Sequence, residues 1–595
     1  MTEHFRLTMP ARGIDANTPS VRVCAGETLL DAIRRAGGSL YAPCAGRGIC
    51  GKCRIIARGG LAAPTDAERD HLTPAQLAAG VRLACQARII GDVEIHAVGA
   101  EPSDAWPDIA GSASILLQTQ GSGPARFSRS EHEPQPQSEP ESCPQPQPQR
   151  QPESLPSSQL EAHPAGLGVA LDIGTTTLVA YLVDRNTGLI RDAAGALNPQ
   201  AVHGADLISR IAFSETPGGP ETLRREVTQA ADELVRTLLQ RSDVSGDDVR
   251  CVSAVGNTCM HHLFLGIPAS GLGRIPYAAA VLDTGIMSAA SAGLASVNPE
   301  AILFFLPNIA GFVGSDALAV ALVAGMDECS RPTLAIDIGT NGEILLAANG
   351  RILACSAAAG PAFEGVNISS GMIACQGAID WVGFAGLPPH TDIEIHVIGN
   401  VEPRGICGSG LISLVAALRQ AGLVSEAGAF EPEAIDPESP LARRIATGPG
   451  PGGIEFILSD PGDAVPRDDA VPARVTLTQR DIRELQLAKA AIRAGAEVLL
   501  DEAGISASDI EQIVLAGAFG TYLDKHAAHA IGLLPGAPQA RITALGNAAG
   551  EGAALAVANC DAYREARRLA GIIEHIELGA NPRFMQVFAD SMLLA

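Results

Sequence analysis

The sequence predicts a small α+β domain, a tether, and a large α/β region made of two copies of one fold. Three observations carry this expectation. Cys44, Cys50, Cys53 and Cys85 stand as C-x5-C-x2-C with a distant fourth cysteine. A Pro- and Gln-rich tract occupies about 99–165. Beyond it, Val169-Ala-Leu-Asp-Ile-Gly-Thr-Thr-Thr-Leu178 recurs as Leu334-Ala-Ile-Asp-Ile-Gly-Thr-Asn-Gly-Glu343. The expected units are 1–98, 99–165, 166–330 and 331–595.

Within 1–98, β-like runs fall at 5–9, 21–23, 53–57 and 92–97, with one helix at 28–37. Thr28 is placed to cap that helix with Asp31 three residues on, and Gly37-Gly38 to end it. The cysteine loop follows directly. Gly46, Gly48 and Gly51 allow a tight loop whose backbone N–H groups point at sulfides. Zinc sites usually take two close cysteine pairs, whereas a triplet plus a singleton favours an iron–sulfur cluster. Cys44-Ala-Gly-Arg-Gly-Ile-Cys-Gly-Lys-Cys53 and Arg82-Leu-Ala-Cys-Gln86 resemble a [2Fe–2S] ferredoxin of the β-grasp fold. The first gap is one residue longer than in the plant-type C-x4-C-x2-C run, the variant of adrenodoxin-like and activator-type ferredoxins. The resemblance implies that Cys44, Cys50, Cys53 and Cys85 ligate a [2Fe–2S] cluster. Cys24, outside the motif, reads as a buried apolar residue.

A chain of 595 residues exceeds one hydrophobic core. Its hydrophobic fraction of 46% is ordinary for a globular protein, and no run of about 18 apolar residues exists to span a membrane. The opening Met-Thr-Glu-His-Phe-Arg-Leu lacks the apolar stretch of a secretory signal. The 13 cysteines are mostly scattered singly through apolar segments, which suits a reducing compartment. A net charge of −24 argues against nucleic acid, whose phosphates would repel the chain. The expectation is a cytoplasmic protein with neither membrane nor nucleic-acid contacts.

The tract at 99–165 contains Glu133-Pro-Gln-Pro-Gln and Pro144-Gln-Pro-Gln-Pro-Gln-Arg-Gln-Pro152, and no aromatic residue falls between Phe127 and Tyr181. Such a segment buries too little apolar surface to order itself and reads as a disordered spacer. A spacer lets a carrier domain swing between donor and acceptor; a proline-rich ligand for a groove-binding partner is the alternative.

In the large region each repeated string is an apolar strand ending at an Asp, a Gly-Thr turn and a returning strand. Backbone N–H groups and Thr hydroxyls in such a turn can hold phosphate oxygens. The Asp can orient hydrated Mg²⁺ or an attacking water. A second pair aligns without gaps: Val244-Ser-Gly-Asp-Asp-Val-Arg-Cys-Val-Ser-Ala-Val-Gly256 and Ile505-Ser-Ala-Ser-Asp-Ile-Glu-Gln-Ile-Val-Leu-Ala-Gly517. Each follows an amphipathic helix, at 221–241 and 478–503. This duplication resembles the sugar kinase, heat-shock chaperone and actin superfamily of ATPases, in which two actin-like α/β halves clamp nucleotide between them. The resemblance implies a first phosphate loop at Asp172, Gly174, Thr175 and Thr176, and a second at Asp337, Gly339, Thr340, Asn341 and Gly342. It assigns the adenosine motif to Gly517, Ala518, Phe519 and Gly520. Gly408, Ser409 and Gly410, before a helix expected from Leu411, offer a further glycine-lined helix start for ribose or phosphate; capping by Ser409 is the alternative. Asp172, Asp337 and Glu343 are the expected catalytic carboxylates, with a solvated hairpin position as the other reading of Glu343.

Other strings read more plainly. Cys259, His261 and His262 cluster in sequence, but adjacent helical histidines diverge by about 100°, so a helix start capped near Thr258 is expected. Cys355, Cys375 and Cys407 lack ligand spacing. Lys489 is expected as a snorkelling surface lysine, its alternative being an approach to the nucleotide.

Taken together, the ferredoxin-like part, the linker, Gly-Asn-Thr-x-Met-His-His, Ala-Gly-Pro-Ala-Phe-Glu-Gly at 359–365 and Leu-Ala-Gly-Ala-Phe-Gly resemble the reductive activators of corrinoid-dependent methyltransferases. That resemblance implies ATP-dependent return of cob(II) to cob(I) in a corrinoid-binding methyltransferase protein, with ATP and Mg²⁺ in the large region. It implies a low-potential electron donor such as a flavodoxin, ferredoxin or reductase, and leaves a homodimer open. The segment 356–365 is expected to face the partner. The alternatives are an activator of another low-potential metalloenzyme, a small-molecule kinase with a redox-sensing domain, and an actin-like scaffold.

Overall fold

A computed structural model describes residues 4–8, 20–35, 40, 46, 48, 51, 53–72, 74–98, 166–204, 206–385, 392–447, 453–460, 474–517 and 523–595. The expected linker at 99–165 and the Gly37-Gly38 helix stop lie outside these residues.

The N-terminal strands are β1 (His4–Thr8), β2 (Ser20–Cys24), β3 (Arg54–Leu61), β4 (Val81–Leu83) and β5 (Ile89–Val98), in the sheet order β2-β1-β5-β3-β4. The helix Leu29–Arg35 buries Leu29, Leu30, Ala32 and Ile33 against this sheet. Its start is as the sequence implies: Thr28 Oγ1 accepts from Asp31 N at 3.2 Å and donates to the Asp31 carboxylate at 2.7 Å. Cys24 corrects the sequence reading. It ends the edge strand β2, is only half-buried, and lies 3.7 Å from His4 Nδ1.

Two short helices, Asp66–His71 and Pro74–Ala78, and the strand β4 lie in a polar stretch without helical periodicity, which is why the sequence reading passed over them. The first is set by a capping box between Thr65 and Glu68. Glu68 is fully buried. It takes Arg82 Nε at 2.7 Å, Arg82 Nη2 at 2.9 Å and Leu83 N at 3.2 Å, fastening the helix to β4 just before Cys85.

The large region holds two six-stranded sheets that share a five-strand topology and differ in the edge that carries the sixth strand. In the first, β6 (Leu167–Ile173), β7 (Thr177–Asp184) and β8 (Leu189–Leu197) form an antiparallel meander, and β9 (Val249–Val255) lies parallel to β6. The short strand β10 (Ile286–Ser288) and β11 (Ile302–Phe305) complete the order β10-β11-β9-β6-β7-β8. In the second, β12 (Thr333–Ile338), β13 (Gly342–Ala348) and β14 (Arg351–Ala357) form the same meander. Two three-stranded sheets follow, from β15 (Ala378–Ala385), β16 (Asp392–Val397) and β17 (Gly405–Ile406), then β18 (Ile445–Thr447), β19 (Ile454–Ser459) and β20 (Val475–Thr478). β21 (Gln512–Ala516) lies parallel to β12, and β22 (Arg541–Gly546) and β23 (Ile573–His575) close the order β22-β21-β12-β13-β14-β23. The strands β9 and β21 thus hold equivalent places, each beside the strand that carries a repeated Asp. The helices Gly219–Arg241 and Gln479–Ala503 precede them, the latter capped by Thr478.

Between the sheets, the helices Ser315–Ala324 and Ala548–Ala558 pack against each other within one core that draws residues from both. Cross-bonds reinforce it: Ser253 Oγ donates to Ala553 O at 2.6 Å and Arg185 Nε to Val557 O at 2.7 Å.

Truncating Glu68 to Ala leaves the Arg82 guanidinium buried without its carboxylate, a loss of about 3–5 kcal/mol. Hydrogen exchange on the full chain is expected to show β3 and β4 deprotected while β6 and β12 keep their protection. Unchanged protection in β3 and β4 would refute the anchoring role.

Candidate functional site

The central strand of each sheet carries an aspartate one residue from its end. Asp172 is paired with Val255 across β6 and β9, and Asp337 with Ala516 across β12 and β21. The turns that follow meet across the cleft, with Thr176 Oγ1 3.1 Å from Thr340 Oγ1. Thr340 Oγ1 donates to Glu364 Oε1 at 2.7 Å, so the proton between the threonines belongs to Thr176. Glu364 Oε2 is buried with no hydrogen-bond partner among the described residues.

The first turn rests on a buried polar scaffold. Asn257 Nδ2 donates to Thr175 Oγ1 and its Oδ1 accepts from Met260 N, both at 2.9 Å, which makes Asn257 rather than Thr258 the cap of the helix Thr258–Leu265. Asn198 Nδ2 donates to Gly174 O at 2.9 Å. The fully buried Arg210 donates to Thr175 O and Gly204 O. Burial lowers its pKa only to about 10, so it stays a cation beneath the turn. His261 and His262 are buried, and burial pushes them down to about 3 and about 4. His262 donates from Nδ1 to Thr258 O at 2.7 Å and accepts Ala280 N at Nε2, which makes it a neutral strut.

Two further carboxylates join the aspartates. Glu343 stands opposite Asp337 in the β12–β13 register, is buried, and accepts from Ser356 Oγ at 3.3 Å, so the solvated-hairpin reading fails. Asp316, in the first turn of the helix Ser315–Ala324, was not singled out from the sequence. Burial is the main cause that raises Asp172 to about 6, Asp316 to about 7 and Asp337 to about 8. The charge of Asp172 adds to the rise at Asp316, and those of Asp316 and Asp172 to the rise at Asp337. Glu343 is raised well above the usual carboxylate range, first by burial and then by Asp316 and Asp337. Asn547 Nδ2, reaching over from the loop after β22, donates to Asp172 Oδ2 at 2.8 Å and works against the rise. Among the described residues no three His, Cys, Asp or Glu side chains converge to hold an ion directly. Carboxylates whose charges perturb one another make an acidic site of the kind a divalent cation would suit.

The remaining expected residues are less uniform. Asn341 O accepts from Gly339 N at 3.1 Å, and Gly342 opens β13. Gly517 has φ +85°, and a Cβ there would lie 2.6 Å from Asp337 Oδ1. Ala518, Phe519 and Gly520 lie outside the described residues. The helix expected from Leu411 begins at Gly408, with Cys407 as the cap residue and no side-chain cap bond. Ser409 is therefore not the cap; its hydroxyl sits 3.4 Å from Cys407 Sγ inside the first turn. Gly410 is explained by packing, since a Cβ there would come within 2.2 Å of Ile379 O. Lys489 is neither surface nor nucleotide-facing: it is buried and donates to Leu593 O. The segment 356–365 turns Ser356 and Glu364 into the cleft rather than outward.

At the cysteine loop, Cys53 and Cys85 are buried and adjoining, with Ala84 N donating to Cys53 O at 2.8 Å. Gln86 Nε2 bonds Gly46 O at 3.1 Å and points at Cys85 Sγ at 3.6 Å. Gly46, Gly48 and Gly51 all have positive φ, as a tight loop requires. Cys44 and Cys50 lie outside the described residues. Two buried sulfurs with an amide N–H aimed at one of them fit the sulfur set of a [2Fe–2S] cluster.

Comparison with known proteins agrees with this geometry. Residues 331–595 match the family model for the C-terminal domain of RACo, the ASKHA domain, and 167–329 the model for the RACo middle region. Residues 14–89 match the 2Fe-2S iron-sulfur cluster binding domain. The chain is 34% identical over 425 residues to the corrinoid activation enzyme RamQ of Eubacterium limosum, covering 71% of this chain and 69% of that enzyme. The chain belongs to the RACo family of corrinoid activators. It is also 28% identical over 404 residues to the Co(II) methylated amine-specific corrinoid protein reductase of Methanosarcina barkeri, covering 62% of this chain and 66% of that protein. A solved reductive activator for corrinoid,iron-sulfur protein superposes with a TM-score of 0.64 at 27% identity, over 99% of this chain and 98% of that one. In this chain the residues that match the ASKHA domain thus follow those that match the cluster-binding domain.

Two outcomes follow from the cleft. Because Asp316 and Asp337 titrate near about 7 and about 8, their unfavourable ionisation is absent at low pH. It costs the folded chain increasing stability as pH rises from about 4, the unfolded carboxyl value. A cation entering the cleft displaces those protons, so calorimetry of Mg²⁺–ATP at pH 7 in buffers of different ionisation enthalpy is expected to show net proton release, with affinity rising from pH 6 to 8. Gly517→Ala adds a left-handed penalty of about 1–2 kcal/mol and a clash with Asp337. It is expected to weaken nucleotide binding about tenfold or more, measured by the same titration.

Proposed function

We propose that this protein is an ATP-dependent reductive activator that returns the cob(II) state of a corrinoid-binding methyltransferase protein to cob(I). The observation that carries it is the meeting of Thr176 and Thr340 over Asp172, Asp316 and Asp337, in a RACo-family chain that also bears a cluster-binding domain. A [2Fe–2S] cluster held by Cys44, Cys50, Cys53 and Cys85 supplies a one-electron couple near about −400 mV. The cobalt couple of such a partner is expected to lie lower, and a shortfall of about 100 mV corresponds to about 2.3 kcal/mol for one electron.

The cleft residues address that shortfall through binding. Thr175, Thr176 and Thr340 offer hydroxyls to phosphate, Arg210 places a fixed positive charge beneath the first turn, and Asp172, Asp316 and Asp337 orient hydrated Mg²⁺. Glu364 and Glu343 complete the acidic wall, and Gly517 leaves room for the nucleoside. Triphosphate that draws the two turns together favours one arrangement of the halves over another, and a partner that binds that arrangement more tightly is shifted with it. A low-potential flavodoxin, ferredoxin or reductase is the donor this chemistry requires.

The test is to reduce the purified protein and add candidate cob(II) corrinoid proteins with and without ATP. Loss of the cob(II) absorption band only with ATP is expected; reduction that ignores ATP, or fails with every corrinoid protein, overturns the reading. Asp337→Ala is expected to abolish the ATP-driven reduction with the cluster spectrum intact, and Cys50→Ser to weaken the cluster spectrum while nucleotide still binds.

A further inference from the structure

The same stretch of chain that closes the nucleotide cleft also reaches the cysteine-loop domain. Three positions after Glu364, Asn367 Nδ2 donates to Glu484 Oε2 at 3.3 Å. Ser369 then binds Asp481 Oδ1 through both its N–H, at 2.7 Å, and its hydroxyl, at 3.0 Å. Ser370 Oγ accepts from Thr476 N at 3.0 Å. The segment 361–371 is thereby sewn to β20 and to the first turn of the helix Gln479–Ala503. A cleft of about 120 Å³ opens there, with Asn367, Ser369 and Arg480 on one side and Arg54, Asp70 and His71 on the other. The second set belongs to the cluster-binding domain and touches the cysteine loop itself. Arg54 donates to Gly51 O at 2.9 Å and to His71 O at 3.2 Å, and the His71 ring lies 3.0 Å from where a side chain on Gly51 would begin. Gly51 stands between Cys50 and Cys53.

We infer that Asn367, Ser369 and Arg480 form a docking surface for the chain's own cluster-binding domain, and that segment 361–371 ties this surface to phosphate occupancy through Glu364. The inference rests on the reading of the cleft as an ATP site. The seam suits reversible docking rather than permanent burial. It is polar and holds space for water, as interfaces between mobile domains do, and each side presents both signs of charge, Asp70 with Arg54 facing Glu455 with Arg480. Glu364 supplies the switch. One of its oxygens is held by Thr340 and the other is buried without a partner among the described residues, a costly state that an arriving phosphate-bound cation or water relieves. Any shift of Glu364 on nucleotide binding is carried by the short backbone to Asn367 and Ser369. A ligand that binds one arrangement of this segment better shifts the docking equilibrium with it.

Hydrogen exchange by mass spectrometry on the full-length, cluster-loaded protein tests this. In the wild type, Mg²⁺ with a non-hydrolysable ATP analogue is expected to change exchange at 66–71 by about tenfold, together with 476–484. Arg480→Glu is expected to change exchange at 66–71 without nucleotide and to remove the nucleotide response, while the analogue still binds and β6 and β12 keep their protection. Glu364→Gln is expected to leave 66–71 unresponsive even when the analogue is raised until calorimetry shows its site saturated. Exchange at 66–71 that ignores bound analogue in the wild type, or a response that survives in Arg480→Glu or in saturated Glu364→Gln, overturns the inference. ATP-driven cob(II) reduction persisting alongside an unresponsive seam sinks the inference alone. Failure of the analogue to bind the wild type overturns the cleft reading and the inference together.

Discussion

Asp172, Asp316, Asp337 and Glu343 share a cleft where burial and mutual repulsion both oppose ionisation. Such a set does not persist on its own, because four flexible carboxylates would turn away from one another into water. Here each is fixed by an element that has no freedom to turn. Asp172 and Asp337 sit near the ends of central strands, Glu343 is locked in the β12–β13 register, and Asp316 begins a buried helix. The sheets and the helices between them hold carboxyls where ionisation is unfavourable, so near neutral pH Asp316 and Asp337 largely keep their protons.

The two repeated turns match in sequence and differ in what lies behind them. The first rests on donors, Asn257, Asn198 and the Arg210 cation, all directed at its carbonyls and hydroxyl. The second is tied to an acceptor, Glu364. One turn is held from below by donors and a buried cation, and the other by a carboxylate with an oxygen that has no partner among the described residues.

Much of this was legible in the chain because it is local or repeated. The repeated Asp-Ile-Gly-Thr strings marked the equivalent strands β6 and β12, and the ungapped pair ending at Gly256 and Gly517 marked β9 and β21. The cysteine spacing marked a loop between a helix and a strand. What escaped was long-range. Asp316 and Asn547 are ordinary first-turn and capping residues until folding sets them against Asp172, although the Gly311-Phe-Val-Gly-Ser-Asp316 run was a glycine-rich signal of the usual kind. Glu364 stood inside a quoted string without a role because its partner, Thr340, is brought to it by the fold. The cap at Cys407 was misjudged by two residues, since a hydroxyl in the first turn looks the same in sequence as one at the cap. Lys489 read as a surface residue because its acceptor is a carbonyl at the far end of the chain.

The reciprocal packing of Ser315–Ala324 and Ala548–Ala558 has a bearing on how the protein is made. The first sheet leans on a helix encoded more than two hundred residues downstream of its own last strand, and it is joined to it by Ser253 and Arg185. As the chain leaves the ribosome, β6 to β11 can pair, but one face of that sheet stays apolar and uncovered until the final segments emerge. Domains generally fold in order of synthesis, and here the order is interlocked: the first half waits for the second. The duplicated halves are interlocked, and a chain cut between them would leave the first sheet without the helix Ala548–Ala558 that covers its face.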